Sequence, residues 1–398
     1  MSKVIIIGAG PSGLVSAINL AKESEVIVLE KNSICGKKLL MTGNGRCNYF
    51  NDDFTTNHYY SDNKKLISEL INDNSKKEVL DFFNSLGIIP KIENGYYYPY
   101  SNQASNIKNV LVDKALFLGV KIKNNIEVSN IKKEDGLFIL NTNDGEYKCD
   151  KLVIATGSCA YPKTGSDGKF YSILERFGHK IIKPLPALVQ LVGKGNYFDL
   201  WKGVREDVVI KLYEDDLYIK EESGQIQLTD YGISGICSMN LSSIIARGLD
   251  NKREEKVIIN FYPIGDKFSL KEKLINDYKN NSYKDISKLL ESILNYKLGN
   301  LIIKLLGYKN TDKLDDIDID KLVDKITNFE LEITSTKSFS NSQTCSGGVS
   351  LKEINLNTME SKVIRNLYLV GEIIDINGDC GGYNLALSFI TGMRVLIW

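Results

Sequence analysis

Val4-Ile5-Ile6-Ile7-Gly8-Ala9-Gly10-Pro11-Ser12-Gly13 lies at the start of the chain, and its reading decides the fold. Four β-branched residues closed by glycine predict a strand buried on both faces, the pattern of a parallel sheet. Leu14, Ala17, Ile18 and Ala21 then recur at helical spacing, so the glycines occupy a strand-to-helix turn. A second apolar run, Val26 to Leu29, ends in Glu30, 22 residues after Gly8. Strand, turn, helix and acidic residue together are the context a dinucleotide fingerprint requires. Gly8 permits the tight turn, Gly10 lets the backbone approach a pyrophosphate, and Gly13 lets the helix pack on the strand. The helix start at Pro11 and Ser12 offers uncommitted N–H groups and a partial positive charge. Glu30 can accept both ribose hydroxyls and would repel a 2′-phosphate, which points to FAD or NAD rather than NADP.

The segment after Glu30 separates these two. Lys31 to Asn48 reads KNSICGKKLLMTGNGRCN, a loop rich in glycine and cations, Lys31 and Lys38 among them. An NAD dehydrogenase has no need of it there. The longer pyrophosphate-ribityl chain of a flavin does need further N–H groups and cations, which Thr42, Gly43, Asn44, Gly45, Arg46 and Asn48 could supply. Lys151 to Ile154 predicts another buried strand, ending in the small-residue turn Ala155-Thr156-Gly157. Leu367 to Val370 predicts a third, followed by Gly371, Glu372, Asp375 and the turn Gly378-Asp379-Cys380-Gly381-Gly382, with a last helix from Tyr383, Asn384 and Leu385. This order is similar to that of the two-dinucleotide-binding-domain flavoproteins. The similarity implies that an acidic residue after the last strand meets the ribityl chain. It also implies that the last helix aims its N-terminus at O2 of the isoalloxazine, stabilising negative charge on the reduced flavin. FAD is therefore the expected cofactor. No second G-x-G-x-x-G occurs, so NADH or NADPH would visit only as a transient electron donor.

Six blocks narrow the match: TGNGRCN (42–48), TGSDG (164–168), PLPALVQL (184–191), TDYGISG (229–235), INLNTMESK (354–362) and GEIIDINGDCGGYNLALSFITG (371–392). In this order they resemble the BaiN/RdsA-type NAD(P)/FAD-dependent oxidoreductases, a bacterial family also described as aminoacetone oxidase-like FAD-binding flavoproteins. The resemblance implies an α/β fold: a Rossmann-like FAD-binding domain of the two-dinucleotide-binding-domain type with an inserted β-barrel plus helical domain. It implies a discontinuous FAD-binding domain at 1–190 and 335–398, and an inserted substrate domain at 191–334, barrel about 191–260 and helical about 265–330. It also implies that the backbone at Val128 faces the adenine edge. Members are assigned to reduction of C=C bonds in steroid acids and to dihydrouridine formation in ribosomal RNA. A reductase delivering hydride from flavin N5 to an electron-poor C=C, enone-like or uracil-type, is the leading expectation. A flavin oxidase of small amines or amino ketones and an rRNA dihydrouridine synthase-type enzyme are the alternatives.

Local patterning agrees with this division. Residues 64–86 predict two short helices, and Ser101 is placed to cap a helix running through Leu118. Val208 to Leu212, Leu217 to Ile219 and Gln225 to Leu228 alternate as separate strands, and 268–328 has helical spacing.

Composition bounds the rest. Lys plus Arg and Asp plus Glu both number 50 in 398 residues, so no global basic field marks a nucleic-acid binder, and any RNA site is a local patch. Seven scattered cysteines without a C-x-x-C pair indicate neither a disulfide framework nor a zinc site, and suit a reducing cytoplasm. The apolar run at Val4 is too short for a signal-peptide core, and no run approaches a membrane span. Oligomeric state stays open. For chemistry, Cys47 could protonate the carbon α to a carbonyl after hydride reaches the β carbon, and its neighbour Arg46 would lower its pKa. Its plainer role is packing in a loop folded over the cofactor; Cys380 is its rival. Arg46 could hold an anionic substrate or an enone oxyanion, or equally a cofactor phosphate. The Asn384 amide could reach N3 or O4 of a flavin. His58 and His179 are too few and too far apart to nominate a metal site or a nucleophile triad.

Overall fold

The Val4–Ile7 run lies at the centre of a sheet because nothing in it tolerates water. In the computed structural model, which describes residues 2–396, it forms strand β1 (Lys3–Ile7), with Val4, Ile5 and Ile6 fully buried. Helix α1 (Pro11–Leu20) follows, then β2 (Glu25–Glu30). Three further strands, β3 (Lys121–Asn124), β4 (Lys151–Ile154) and β5 (Leu367–Leu369), complete a five-stranded parallel sheet in the order β5-β4-β1-β2-β3. Helix α2 (Tyr383–Met393) ends the described fold. The two ends of the chain are joined directly. The Asn19 amide donates to the carbonyls of Met393 (2.8 Å) and Val395 (2.9 Å), and α1 crosses α2 so closely that a Cβ at Gly392 would lie 2.6 Å from the Ser12 carbonyl oxygen.

The chain divides into two compact units, Met1–Pro186 with Phe339–Trp398, and Ala187–Ser338. In the first, the expected helices of 64–86 are Lys64–Leu70 and Asp73–Ser85. The helix before Leu118 runs Ala104–Phe117 with Gln103 at its N-cap, so Ser101 does not cap it.

The second unit is a closed six-stranded barrel in the order Leu191–Gly193, Gly232–Ser234, Leu217–Leu228, Arg205–Glu214, Glu255–Asn260, Phe329–Thr336, with four helices between its last two strands in sequence. Two features depart from the sequence reading. The stretch Leu217–Leu228 is one strand, because its polar centre pairs antiparallel with Arg205–Glu214 and Lys211 lies 3.5 Å from Glu221. Helix Ile236–Asp250 packs against all six strands and is buried over most of its surface. Barrel closure depends on Phe329–Thr336, which pairs with both Glu255–Asn260 and Leu191–Gly193.

Candidate functional site

The three glycines of the first turn are needed for three different physical reasons. Gly8 has φ +102°, its N–H donates to Leu29 O (2.8 Å), and a Cβ there would lie 2.4 Å from Ala155 O. A Cβ at Gly13 would lie 2.0 Å from Gly8 O. At Gly10 a Cβ would meet nothing within 4 Å, so the protein itself does not require glycine there. Helix α1 begins at this open point with no side chain capping it and no acidic residue in its first turn. Its N-terminal end is a ready anion site. The buried Glu30 carboxylate is fixed beside it: Oε2 accepts the Ala9 N–H (2.8 Å), and Oε1 accepts the Asn32 backbone N–H (2.8 Å) and amide (2.7 Å). Ala155-Thr156-Gly157, at the end of β4, borders the same turn, and Thr156 Oγ1 is buried without a hydrogen-bond partner. Val128 is buried at the start of the strand Val128–Glu134.

The loop Thr42–Asn48 is wound tightly. Gly43 (φ +56°), Asn44 (+56°), Gly45 (+82°) and Cys47 (+61°) are all left-handed, and Cys47 N–H donates to Thr42 O (3.0 Å). A left-handed cysteine is strained, which marks the loop as held by its surroundings. Asn48 Oδ1 is a second buried polar atom without a partner. Two expectations are corrected here. Cys47 is wholly buried, and burial pushes its thiol up to about 12, so no neighbouring guanidinium activates it. Arg46 turns away from it, with Nη1 3.1 Å from Glu93 Oε2, Nη2 3.3 Å from the Tyr98 hydroxyl and its guanidinium 4.2 Å above the Tyr98 ring. The thiol held below its usual range is Cys159, through a hydrogen bond with Cys345.

The expected cations and acids meet one another. Lys38 Nζ lies 2.6 Å from Glu372 Oε2, which also accepts the Ser158 hydroxyl (3.1 Å), and Lys31 Nζ lies 2.9 Å from Asp167. Gly371 takes φ +72° where a Cβ would lie 2.5 Å from Ser12 Oγ, which brings the last strand's turn onto the first helix. Asp375 is buried and accepts the Ser61 hydroxyl (3.0 Å) and the Asp62 N–H (2.9 Å).

Helix α2 starts after Gly382, whose φ of +98° lets it pass where a Cβ would strike Phe50 O at 2.7 Å. No side chain caps it. Tyr383 is buried and Leu385 half-buried at its first turn. The Asn384 amide is committed to the preceding turn, accepting Gly378 N–H (2.8 Å) and donating to Gly378 O (2.8 Å), so it orders the loop instead of reaching outward. Around this helix start the structure gathers residues that the sequence reading passed over: His58 stacks on Tyr383 and meets Asp379, 321 positions away. No local pattern signals that pairing. Among the described residues no cluster of His, Cys, Asp and Glu could hold a metal ion, and no helix is long and apolar enough to cross a membrane.

The family model described as HI0933-like protein Rossmann domain matches residues 2–395. A "3-dehydro-bile acid delta(4,6)-reductase" of Clostridium scindens is 32% identical over 398 residues, covering 98% of this chain and 97% of that protein. A "Ribosomal RNA dihydrouridine synthase" of Haemophilus influenzae is 29% identical over 394 residues, covering 96% and 94%. Among solved structures, a 3-ketosteroid-delta4-(5alpha)-dehydrogenase from Rhodococcus jostii shares the fold with a TM-score of 0.51 at 12% identity, covering 99% of this chain and 96% of that one. The chain belongs to the HI0933-like Rossmann family and is an oxidoreductase of the flavoprotein class.

Proposed function

We propose that the protein binds FAD and uses it to reduce an electron-poor C=C bond, most directly one conjugated to a carbonyl. The observation that carries FAD binding is Gly10: a glycine the fold does not need, at an uncapped helix start, with space for a pyrophosphate where a side chain would stand. The buried, unpartnered Asn48 Oδ1 and Thr156 Oγ1 support the same reading, since buried polar atoms in a native fold find partners. Glu30 would take the adenosine ribose, and Val128 the adenine edge. Lys31, Lys38, the Thr42–Asn48 loop, Glu372 and Asp375 would hold the phosphates and ribityl chain, and the start of α2 would hold the pyrimidine end. When bound, FAD supplies hydride at N5. Arg46, part-exposed beside Glu93, would hold an anionic group of the substrate. Cys47 keeps a packing role. We assign substrate recognition to the unit Ala187–Ser338, electron supply to transient NADH or NADPH, and the protein to the reducing cytoplasm, which its seven free cysteines suit.

An enone is the favoured acceptor because the bile-acid reductase is 32% identical over nearly the whole chain. A uracil ring in RNA is the second reading, supported by the dihydrouridine synthase relative; it offers a C=C conjugated to a carbonyl as well. With equal numbers of cationic and anionic residues, an RNA would be held at a local patch, with salt-dependent binding. Purification with a flavin spectrum, followed by reduction with NADH, NADPH and dithionite in turn, tests the cofactor and donor assignments. A colourless protein that takes up no added FAD would overturn them.

A further inference from the structure

Reduction of a conjugated C=C needs a proton as well as a hydride, and a suitable group packs beside the start of α2. His58 is held at both ring nitrogens, Nδ1 3.1 Å from Asp379 Oδ2 and Nε2 2.9 Å from Asp53 Oδ2. Its ring stacks on Tyr383 at 4.5 Å and 16°. Asp379 is 3% exposed and is itself fixed: Oδ1 accepts the Tyr60 hydroxyl (2.9 Å), and its N–H donates to His58 O (2.8 Å). The short pairing of Tyr59–Tyr60 with Asn377–Gly378 sets this register, and the Tyr59 hydroxyl donates to Tyr383 O (3.1 Å). The two carboxylates differ. Asp379 is buried and immobile, whereas the Asp53 side chain is 66% exposed and free to yield its place. A ring whose Nδ1 is anchored by a buried carboxylate presents a defined Nε2–H outward.

Among the described residues at this point, His58 is the group whose acid form the surroundings favour and whose ordinary range lies nearest neutrality. Asp379, and then Asp53, raise its pKa against the opposing effect of burial. Burial pushes the Cys380 thiol up to about 11 and the Tyr59 hydroxyl well above its usual value. Cys47 is out of reach in the core.

We propose that His58 Nε2 is the proton donor of the C=C reduction, with Asp379 as its positioning residue. The inference rests on the reductase reading above. Bound FAD would supply the hydride that forms a C–H bond at the β carbon, which would leave the π pair on the α carbon and its carbonyl. The Nε2–H bond then breaks, the proton bonds the α carbon, and neutral imidazole regains a proton from water. The C=C bond gains two electrons and one hydrogen as the hydride from the cofactor, and a second hydrogen as the proton from His58, which solvent restores.

The chain has two histidines, so ring NMR across pH yields two titrations, assigned with His179→Gln. His58 should titrate above the ordinary histidine range and His179 below it. In Asp379→Asn the His58 titration should fall towards the ordinary value, and the alkaline limb of the pH–rate profile should move with it, which a merely structural role would not produce. In His58→Gln, FAD content and dithionite reduction should stay at wild-type levels. Anaerobic reoxidation by an enone should slow by roughly 10²-fold or more, the share of a general acid. Wild-type reoxidation rates in His58→Gln, or a His58 titration unmoved by Asp379→Asn, would overturn the proposal while leaving C=C reduction intact. If the wild-type flavin is reoxidised by no enone and no uridine-containing RNA, the reductase reading itself fails and takes this inference with it.

Discussion

Gly10→Ala separates cofactor binding from folding. Gly10 has φ −77° and ψ −176°, which any L-residue adopts, and its added Cβ meets no protein atom within 4 Å. Without FAD the substitution should therefore leave stability unchanged or raise it by about 0.4–1 kcal/mol, because alanine narrows the unfolded ensemble. On the proposed placement of FAD, the methyl group would stand between the pyrophosphate and the start of α1. Losing the contact of an anion with a helix N-terminus costs about 1–2 kcal/mol, or roughly a 5- to 30-fold rise in Kd. Gly13→Ala is the counterpart: its Cβ lies 2.0 Å from Gly8 O, so the turn must shift, at about 1–3 kcal/mol even in FAD-free protein. Urea unfolding of stripped protein gives the stabilities, and fluorescence quenching of added FAD gives the affinities. A Gly10→Ala protein that binds FAD at the wild-type Kd, or that loses stability without FAD, would refute the reasoning.

Glu30→Ala should lower FAD-free stability by about 1–3 kcal/mol, since Ala9 N–H is left buried without its acceptor; the urea midpoint checks this. Iodoacetamide labelling of folded protein, mapped by mass spectrometry, should modify the half-buried Cys159, whose thiol is held below its usual range, and spare Cys47, whose thiol stands at about 12 in the core. In the barrel, burial and then Glu214 push Glu255 from 4.5 up to about 8. The folded state therefore holds that proton more tightly than the unfolded chain. This contribution is fully present below the unfolded value of 4.5 and is lost as pH rises to about 8. Glu255→Gln should flatten that loss in urea midpoints measured across the window.

What could be read from the sequence was local. The run from Val4 through Gly13 to Glu30 obeys rules that act within a few residues, so β1, α1 and β2 were legible with their turn. The strands at Lys151 and Leu367 were legible as buried apolar runs. The inserted barrel was expected but its closing strand was not, because Phe329–Thr336 finds one partner about 70 residues back and the other about 140, and alternation within 217–228 is hidden by a polar stretch that pairs through charge. Side-chain direction was not legible either. Arg46 and Cys47 are adjacent in sequence, yet one reaches Glu93 and Tyr98 while the other is sealed in the core. His58 looked isolated because Asp379 is 321 positions away and arrives beside it only through the Tyr59–Tyr60 pairing.

The most direct test of C=C reduction is anaerobic. The protein is reconstituted with FAD, photoreduced, and mixed with a conjugated steroid enone in deuterated water, with a saturated ketone as control. C=C reduction predicts flavin reoxidation matched mole for mole by saturated product, carrying solvent deuterium at the α carbon and, because the flavin N5–H exchanges with solvent, at the β carbon as well. Reduced flavin that persists with every enone and uridine-containing RNA, yet is reoxidised at once by air with release of peroxide, would contradict it and identify an oxidase instead.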